Sequence, residues 1–324
     1  LPFLIRIARP ADIYRGAMDR IRVMDDAGYD CVWLAEHHFS DYSICPSVHM
    51  MGTWIAAQTK HIRIGMAVSL AAFYHPLRLA EEVALLDVLS GGRVNWGAGR
   101  GFDRTEFETF GVPAEESYAR YRENVDIVLA AWQQDRMNFE GRFNRFENVE
   151  VLPKPLQEPH PPVWLAASSP DAVRGAAESG HAILMDPHAS HADIGTKYRL
   201  YRETMAAHGF DPDFRDTPMA RLLAVADTDE EAREIARKGA GWLVASYINQ
   251  DKFGGKTPVG FADATKEDPV EAYLRDRVIV GTPDSVHDTL EELRETMGLK
   301  YLLCAPLSPG TFDRFTEQVM PAFT

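Results

Sequence analysis

The sequence of 324 residues contains little cysteine and no long apolar run. Its three cysteines, Cys31, Cys45 and Cys304, are a small and odd number, which argues against a secreted disulfide framework and favours reduced thiols. No apolar stretch approaches the roughly 20 residues of a membrane-spanning helix, so no membrane association is expected. Residues 1–4 lack the basic region of a signal peptide. Together these features predict a cytoplasmic protein.

Positive charge is also scarce. Lysine and arginine number 34 against 48 aspartates and glutamates, which gives a net charge of −14. A chain this acidic repels phosphate backbones at long range, so a nucleic-acid partner is not expected. One bound phosphate, held by local donors, remains compatible with this charge. The hydrophobic share of 45% and the charged share of 25% are those of an ordinary globular protein.

Strand-like and helix-like segments alternate along the chain. Helices are indicated by apolar residues at helical spacing and by proline or glycine at their ends. The predicted strands cover residues 3–8, 31–35, 62–68, 93–98, 163–167, 182–184, 219–226 and 301–304. Eight strands separated by helices predict an α/β fold, a (β/α)8 TIM barrel in a single domain over residues 1–324. A doubly wound open sheet stays the alternative, because alternation alone does not distinguish a closed sheet from an open one.

One stretch, residues 245–276, does not fit the alternation. It contains Gly254-Gly255, Thr257-Pro258 and Asp268-Pro269, and it is long for a barrel loop. We expect an insertion here. It is either a lid over the barrel mouth or a plain surface insertion, and the sequence does not choose between them.

The second predicted strand ends in Glu36-His37-His38-Phe39, where a barrel places its chemistry. Neighbouring strand residues point to opposite faces, so the two histidines are not expected to share a metal ion. His188 and His191 have a metal-like spacing but no evident third ligand. No metal site is therefore predicted.

The fourth strand ends in a glycine-rich turn, residues 97–101. Phe102 stands where a dinucleotide-binding loop needs its last glycine, and charged residues 103–106 do not open an apolar helix. At the end of the fifth strand, Pro170 starts a helix whose free N–H groups suit an anion. The predicted phosphate contacts are Arg100, Tyr118, Ser168 and Ser169. A tight turn with a surface arginine and a simple serine cap remain the alternative interpretation.

Several blocks occur in a specific order along nearly the whole chain. They are residues 28–39, 75–82, 86–93, 97–101 with 106–107 and 110–111, 161–164 with 168–169, and 280–283. In this order they resemble the bacterial luciferase-like flavin monooxygenases. The resemblance implies a barrel, usually a homodimer, that uses reduced FMN delivered by a separate flavin reductase as a two-component system.

The resemblance also implies roles for individual residues. His38 matches the histidine near the reacting C4a region of the flavin. Ala67 and Val68 match the strand end that packs against the isoalloxazine ring, often through a non-proline cis peptide. Arg100, Tyr118, Ser168 and Ser169 fall where the family holds the FMN phosphate, although Tyr118 replaces an arginine of luciferase. Gly99 stands where luciferase carries a reactive cysteine, so light emission is not predicted. The region of Met50 and Met51 corresponds to the family's dimer interface.

The implied chemistry is oxygenation through a flavin C4a-hydroperoxide that must be protected from water. His38 is the predicted catalytic residue, as proton donor or acceptor and as stabiliser of the peroxide. The substrate is expected to be a small aldehyde, ketone or hydrocarbon. Candidate pocket residues are Phe39, Tyr42, Cys45, Trp54, Phe73 and Tyr74. Core packing is the alternative for the aromatic residues, and for Trp54 it is the favoured interpretation.

Three other functions are compatible with parts of this pattern. A deazaflavin-dependent oxidoreductase on the same scaffold would transfer hydride without oxygen. A non-catalytic flavin-binding protein would hold the cofactor without turnover. A metal-dependent barrel hydrolase ranks last, because the sequence offers no ligand triad.

Overall fold

The computed structural model describes residues 9–39, 43–185, 187–213, 218–248 and 268–323. The chain forms two compact units, residues 2–166 and residues 167–324. The predicted first strand, residues 3–8, lies outside the described residues, and the single domain over the whole chain stays a prediction. No helix in the described ranges has the length and apolar character needed to cross a bilayer.

The N-terminal unit alternates strands and helices. Its elements are α1 (Pro10–Ala27), β1 (Cys31–Leu34), α2 (Val48–Ala56), β2 (Arg63–Met66), β3 (Ser69–Leu70), α3 (Pro76–Ser90), β4 (Val94–Gly99), α4 (Arg104–Phe110), α5 (Ser117–Gln133), β5 (Met137–Glu140), β6 (Arg145–Val149) and β7 (Val163–Ala166). Strands β1, β2, β4 and β7 form a parallel sheet in that order, and β3 pairs with β4. Strands β5 and β6 form the predicted antiparallel hairpin.

Local sequence explains where these helices begin and end. Pro10 and Pro76 occupy the first turns of α1 and α3, where a missing N–H costs nothing. Gly28 and Gly91 follow the last turns with φ of 84° and 71°, a conformation that favours glycine. The helix start at Pro76 and the helix ends at Gly28 and Gly91 agree with the sequence prediction.

The core of this unit lies on the sheet. Ile64, Met66, Val94 and Trp96 are completely buried, as expected for parallel strands with apolar residues on both sides. Because parallel strands end at the same edge, the residues that follow β1, β2 and β4 lie together. This edge carries the residues 36–39, 67–70 and 100–103.

The C-terminal unit has its own parallel sheet. Its elements are α6 (Pro170–Glu178), β8 (Ala182–Leu184), α7 (His191–Ala207), β9 (Pro218–Val225), α8 (Asp229–Ile248), α9 (Pro269–Arg277), β10 (Val278–Gly281), α10 (Pro283–Met297), β11 (Tyr301–Pro306) and α11 (Pro309–Arg314). Strand β9 lies between β10 and β11 and pairs with both.

The predicted strands from residue 31 onward are confirmed, with ends that differ by one or two residues. The elements that were missed include β3, β10 and α4. Helix α4 forms despite its charged start, because the Asp103 side chain caps it by accepting from the backbone N–H of Thr105 at 2.8 Å.

The two ends of the predicted insertion, residues 245–276, are helical rather than loop. Helix α8 continues to Ile248. Helix α9 begins at Pro269, and Asp268 caps it through Val270 N–H at 2.9 Å. The segment between them, residues 249–267, lies outside the described residues.

Candidate functional site

The carboxylate of Glu36, just beyond β1, organises one side of the candidate site. Glu36 is only 3% exposed. Its Oε1 accepts from Nε2 of His38 and from the hydroxyl of Tyr74, both at 3.0 Å. Its Oε2 accepts from the backbone N–H of Leu70 at 3.2 Å. Three donors compensate the burial of this acidic side chain.

The bond to Glu36 fixes the His38 ring. An ionised carboxylate only accepts hydrogen bonds, so Nε2 of His38 carries the proton in this pair. With Nε2 bonded to Glu36, Nδ1 is the remaining ring nitrogen, and no group of the described residues hydrogen-bonds that atom. His38 is therefore oriented to take up or release a proton at Nδ1.

A second histidine–glutamate pair lies beside the first. Nδ1 of His37 is 3.5 Å from Oε1 of Glu106, and the same oxygen accepts from the backbone N–H of His38 at 2.9 Å. Glu106 is buried, and within the described part of the chain its Oε2 has no hydrogen-bond partner. Buried polar atoms are normally paired, so this oxygen indicates a place for a donor from a ligand. Glu106 had no predicted role, although it lies in one of the family-like blocks.

Phenylalanine rings surround His38. The ring of Phe110 stands edge-on to His38 at 4.8 Å, stacks with Phe73 at 5.1 Å and contacts Phe39 at 5.1 Å between centroids. Phe39 has φ of 55°, which is rare for a bulky residue, and its side chain is exposed. The structure thus brings the predicted pocket residues Phe39 and Phe73 to His38 and adds Phe110, which was missed.

Tyr74 and Cys45 also lie in this environment, and both remain protonated. Burial raises the pKa of the Tyr74 hydroxyl, and the neighbouring Glu36 raises it further. Burial, aided by Glu36, raises the pKa of the Cys45 thiol to about 11. Tyr74 therefore acts as a hydrogen-bond donor to Glu36. The remaining predicted pocket residue at this loop, Tyr42, lies outside the described residues.

The strand end at Ala67 and Val68 forms a closely packed wall. The peptide bond between them is cis. The backbone N–H of Ala67 donates to the carbonyl of Leu34 at 2.7 Å, which ties the end of β2 to β1. A Cβ atom on Gly99 would lie 2.4 Å from Cγ2 of Val68. Only glycine permits this close approach of β4 to the wall.

The four predicted phosphate residues fall on both units of the chain. In the N-terminal unit, Arg100 follows β4 and Tyr118 lies in the first turn of α5, and both are exposed. In the C-terminal unit, Ser168 is exposed, and the Oγ of Ser169 caps α6 by accepting from Ala172 N–H at 3.2 Å. The predicted serine cap is confirmed, and the phosphate site stays a prediction.

Helices α2 and α3 present apolar side chains to solvent. Trp54 is 37% exposed and Met50 is 77% exposed, so the favoured interpretation of Trp54 as a core residue is wrong. The side chain projects from the surface of α2 rather than toward the sheet. Leu85, Val88 and Leu89 of α3 are exposed as well. We call Met50, Trp54, Leu85, Val88 and Leu89 the α2–α3 patch.

The histidines of the C-terminal unit have other partners. Nδ1 of His188 lies 2.9 Å from the hydroxyl of Tyr273. Burial lowers the pKa of His191 to about 4, so this ring is neutral at pH 7. Among the described residues, no three histidine, cysteine, aspartate or glutamate side chains converge in a geometry that could hold a metal ion.

Comparison with known proteins places this geometry in context. Residues 3–300 match the model of the luciferase-like monooxygenase family. The oxygenase component of a flavin-dependent trigonelline monooxygenase from Acinetobacter baylyi is 27% identical over 96% of this chain and 90% of that protein.

Solved structures share the fold. The monooxygenase RslO1 from Streptomyces bottropensis is 28% identical with a TM-score of 0.83, over 96% of this chain and 94% of its own. The FMN complex of the oxygenating constituent of 3,6-diketocamphane monooxygenase from Pseudomonas putida has a TM-score of 0.83 at 20% identity, over 98% and 95% of the two chains. A coenzyme F420-dependent tetrahydromethanopterin reductase from Methanopyrus kandleri has a TM-score of 0.75 at 20% identity, over 96% of each chain. These similarities confirm the predicted α/β TIM-barrel fold class.

Proposed function

Because the chain belongs to the luciferase-like monooxygenase family, we propose that it oxygenates a small organic substrate with molecular oxygen and reduced FMN. A separate flavin reductase supplies the reduced cofactor, as in a two-component system. The observation that carries this proposal is the pair of buried histidine–glutamate contacts at one strand edge, Glu36 with His38 and Glu106 with His37. Glu36 also accepts from the backbone N–H of Leu70, two residues after Val68 of the wall.

The residues present fit a flavin. Oε2 of Glu106 has no hydrogen-bond partner among the described residues. It can therefore accept a hydrogen bond from a donor group of the ligand. The Val68–Gly99 wall offers an apolar surface to a flat ring, and Arg100 is an exposed cation near the same edge. When bound, reduced FMN supplies the electrons that activate oxygen. We assign the phosphate to Arg100, Tyr118, Ser168 and Ser169 as part of the proposal.

His38 moves the proton. Its Nε2 is held by Glu36, so the ring exchanges a proton with the reacting oxygen at Nδ1. His37 is a second candidate for the same task, because Glu106 lies at its Nδ1. Each imidazole is paired with a glutamate that orients the ring, the arrangement that general acid–base catalysis requires.

The phenylalanine cluster favours an apolar substrate. Phe39, Phe73 and Phe110 place hydrocarbon surface beside His38 and keep water from it. Aldehydes, ketones and hydrocarbons fit these walls better than charged compounds, because the three phenylalanine rings offer neither a charge nor a hydrogen-bonding group.

The test is oxygenation with labelled oxygen. Protein loaded anaerobically with FMNH2 is mixed with 18O2 and a panel of aldehydes, cyclic ketones and long-chain hydrocarbons, and product mass is measured. We expect one 18O atom in the product of at least one class. Oxygen uptake that yields only H2O2 with the whole panel contradicts the proposal, and FMN retention without oxygen uptake supports a non-catalytic flavin-binding protein.

A deazaflavin-dependent oxidoreductase is the second candidate function, since a coenzyme F420-dependent reductase shares the fold. Such an enzyme would oxidise or reduce its substrate without oxygen. Anaerobic bleaching of coenzyme F420 by a substrate would favour it, and the same assay with FMN serves as the matched control.

The proposal includes a homodimer in the cytoplasm. The α2–α3 patch is an apolar surface of the kind that dimer interfaces bury. The three cysteines are free thiols, which suits a reducing compartment. Sedimentation at micromolar protein measures the oligomeric state, and a monomer alone contradicts the dimer.

A further inference from the structure

Another hydrogen-bonded histidine, His49 of α2, lies between α3 and β3. His49 is only 4% exposed. Its Nδ1 is 3.1 Å from Oε2 of Glu82, and its Nε2 is 3.0 Å from the hydroxyl oxygen of Ser69. Arg78 donates to the other oxygen of Glu82 at 2.7 Å. This side chain therefore connects two helices to the segment that follows the Ala67–Val68 wall.

The contact with His49 affects the ionisation of Glu82. The hydrogen bond from His49, with a smaller contribution from Arg78, lowers the pKa of Glu82 to about 2. Glu82 is thus ionised at pH 7 and accepts the proton of His49 Nδ1. Nε2, the other ring nitrogen of His49, lies within hydrogen-bond distance of the Ser69 hydroxyl oxygen.

Ser69, His49 and Glu82 have the hydrogen-bond order of a hydrolase triad. Ser69, however, has 0% of its surface exposed, so no substrate carbonyl reaches its hydroxyl. The three residues therefore act by holding other groups of the protein in place.

What they hold is the short segment 69–74. Its two ends supply donors to Glu36, since Leu70 donates through its backbone N–H and Tyr74 through its hydroxyl. His49 touches both ends: it hydrogen-bonds Ser69, the neighbour of Leu70, and its ring lies 5.5 Å from the ring of Tyr74 at 65°. On the other side, Asn124 of α5 donates to the carbonyls of Ala71 and Tyr74.

We propose that His49 is a positioning residue: clamped between Glu82 and Ser69, it holds the donors that fix Glu36, and through Glu36 it sets the orientation of the His38 ring. The catalytic consequence rests on the proposed function. The geometric consequence does not, because it concerns a ring in the cofactor-free protein.

The first experiment uses 15N-histidine-labelled protein without cofactor. The Nδ1 and Nε2 signals of His38, assigned by their loss in His38→Gln, report the bond to Glu36. We expect His49→Phe, which keeps a ring but removes both hydrogen bonds, to shift these signals. His49→Gln can still donate to Glu82 and accept from Ser69, so we expect it to restore them.

His188→Phe is the matched control. His188 is 5% exposed and hydrogen-bonded to Tyr273 in the other unit, so its loss perturbs a buried ring of the same kind. We expect the His38 signals to stay at their wild-type positions in this variant. If His49→Phe does not fold, Ser69→Ala removes one of the two bonds with a smaller change. Wild-type His38 signals in both Ser69→Ala and any folded His49→Phe overturn the proposal.

The second experiment measures coupling, the amount of product formed per oxygen consumed. It uses FMNH2, oxygen and the substrate identified by the 18O2 test. We expect His49→Phe to lose on the order of 10–100-fold in product formed per oxygen consumed, the loss typical of a misplaced catalytic group. His49→Gln should recover most of it, with the KM for substrate unchanged. If His49→Phe shifts the His38 signals but forms as much product per oxygen as the wild type, the catalytic part of the proposal is wrong. A wild-type protein without turnover contradicts the proposed function and leaves the spectroscopic test of His49 intact.

Discussion

At the scale of single residues, the site depends on which atoms of each histidine are already bonded. His38 has Nε2 committed to Glu36, and His37 has Nδ1 near Glu106. The two rings are neighbours in the sequence, but they contact their glutamates through different nitrogen atoms. The sequence predicted His38 from the resemblance and gave no role to His37 or Glu106, because these two residues lie 69 positions apart and only the fold brings them together.

The two histidines can be separated by paired substitutions. We expect His38→Gln to lower substrate oxygenation by about 10²–10⁴-fold, the usual contribution of a general acid or base. Hydrogen peroxide should still form from FMNH2 and oxygen, because flavin binding does not require this ring. Stopped-flow product analysis at matched FMNH2 saturation measures the loss. His37→Gln is the comparison: if it alone abolishes oxygenation, the proton task belongs to His37 and the assignment of His38 is wrong.

Glu82 should make the free energy of unfolding depend on pH in the acid range. Its pKa is about 2 in the folded protein and 4.5 when unperturbed, so its hydrogen bonds contribute stability that is fully present above about pH 4.5. That contribution is lost as pH falls toward 2, because protonation removes the acceptor of His49 and Arg78. We expect Glu82→Gln to flatten the fall in unfolding free energy across this window, measured by urea unfolding at each pH. A wild-type slope in Glu82→Gln would contradict the assignment.

At the scale of elements, buried parallel strands were predictable and short or charged elements were not. Cys31 to Leu34 is a two-sided apolar run bounded by glycine and polar residues, and such runs read as strands. Helix α4 was missed because it buries only Glu106 and Phe107, too few for an apolar period. Strand β10 was missed because it follows α9 without a turn.

Two glycines in different elements give a matched test of packing. A Cβ on Gly65 of β2 would lie 2.4 Å from the ring of Trp33, whereas Gly16 in α1 has open space. We expect Gly65→Ala to destabilise the protein by about 1–3 kcal/mol through overpacking. Gly16→Ala should stabilise it by up to about 1 kcal/mol, because alanine is the better helix former. Denaturant midpoints of the two variants measure both effects, and a Gly65→Ala protein as stable as wild type would show that Trp33 moves aside freely.

At the scale of the whole molecule, the fold class followed from alternation and from the order of the family-like blocks. The phosphate residues could not be placed in the same way. Arg100 and Tyr118 belong to one compact unit and Ser168 and Ser169 to the other. Local sequence explains each side chain separately, as a turn residue, a helix start or a cap. The assignment of all four to one phosphate therefore stays a proposal, to be tested with FMN.

Dimer formation also concerns the whole molecule, and substitutions in the α2–α3 patch can test it. Leu89 is 55% exposed in this patch, and leaving so much apolar surface in water is unfavourable unless a partner covers it. We expect a dimer for the wild-type protein and a monomer for Leu89→Lys in analytical ultracentrifugation, because a buried unpaired ammonium opposes association. Leu152→Lys, at an equally exposed leucine outside the patch, is the control and should stay dimeric. A dimer that survives Leu89→Lys but dissociates in Leu152→Lys would move the interface away from α2 and α3.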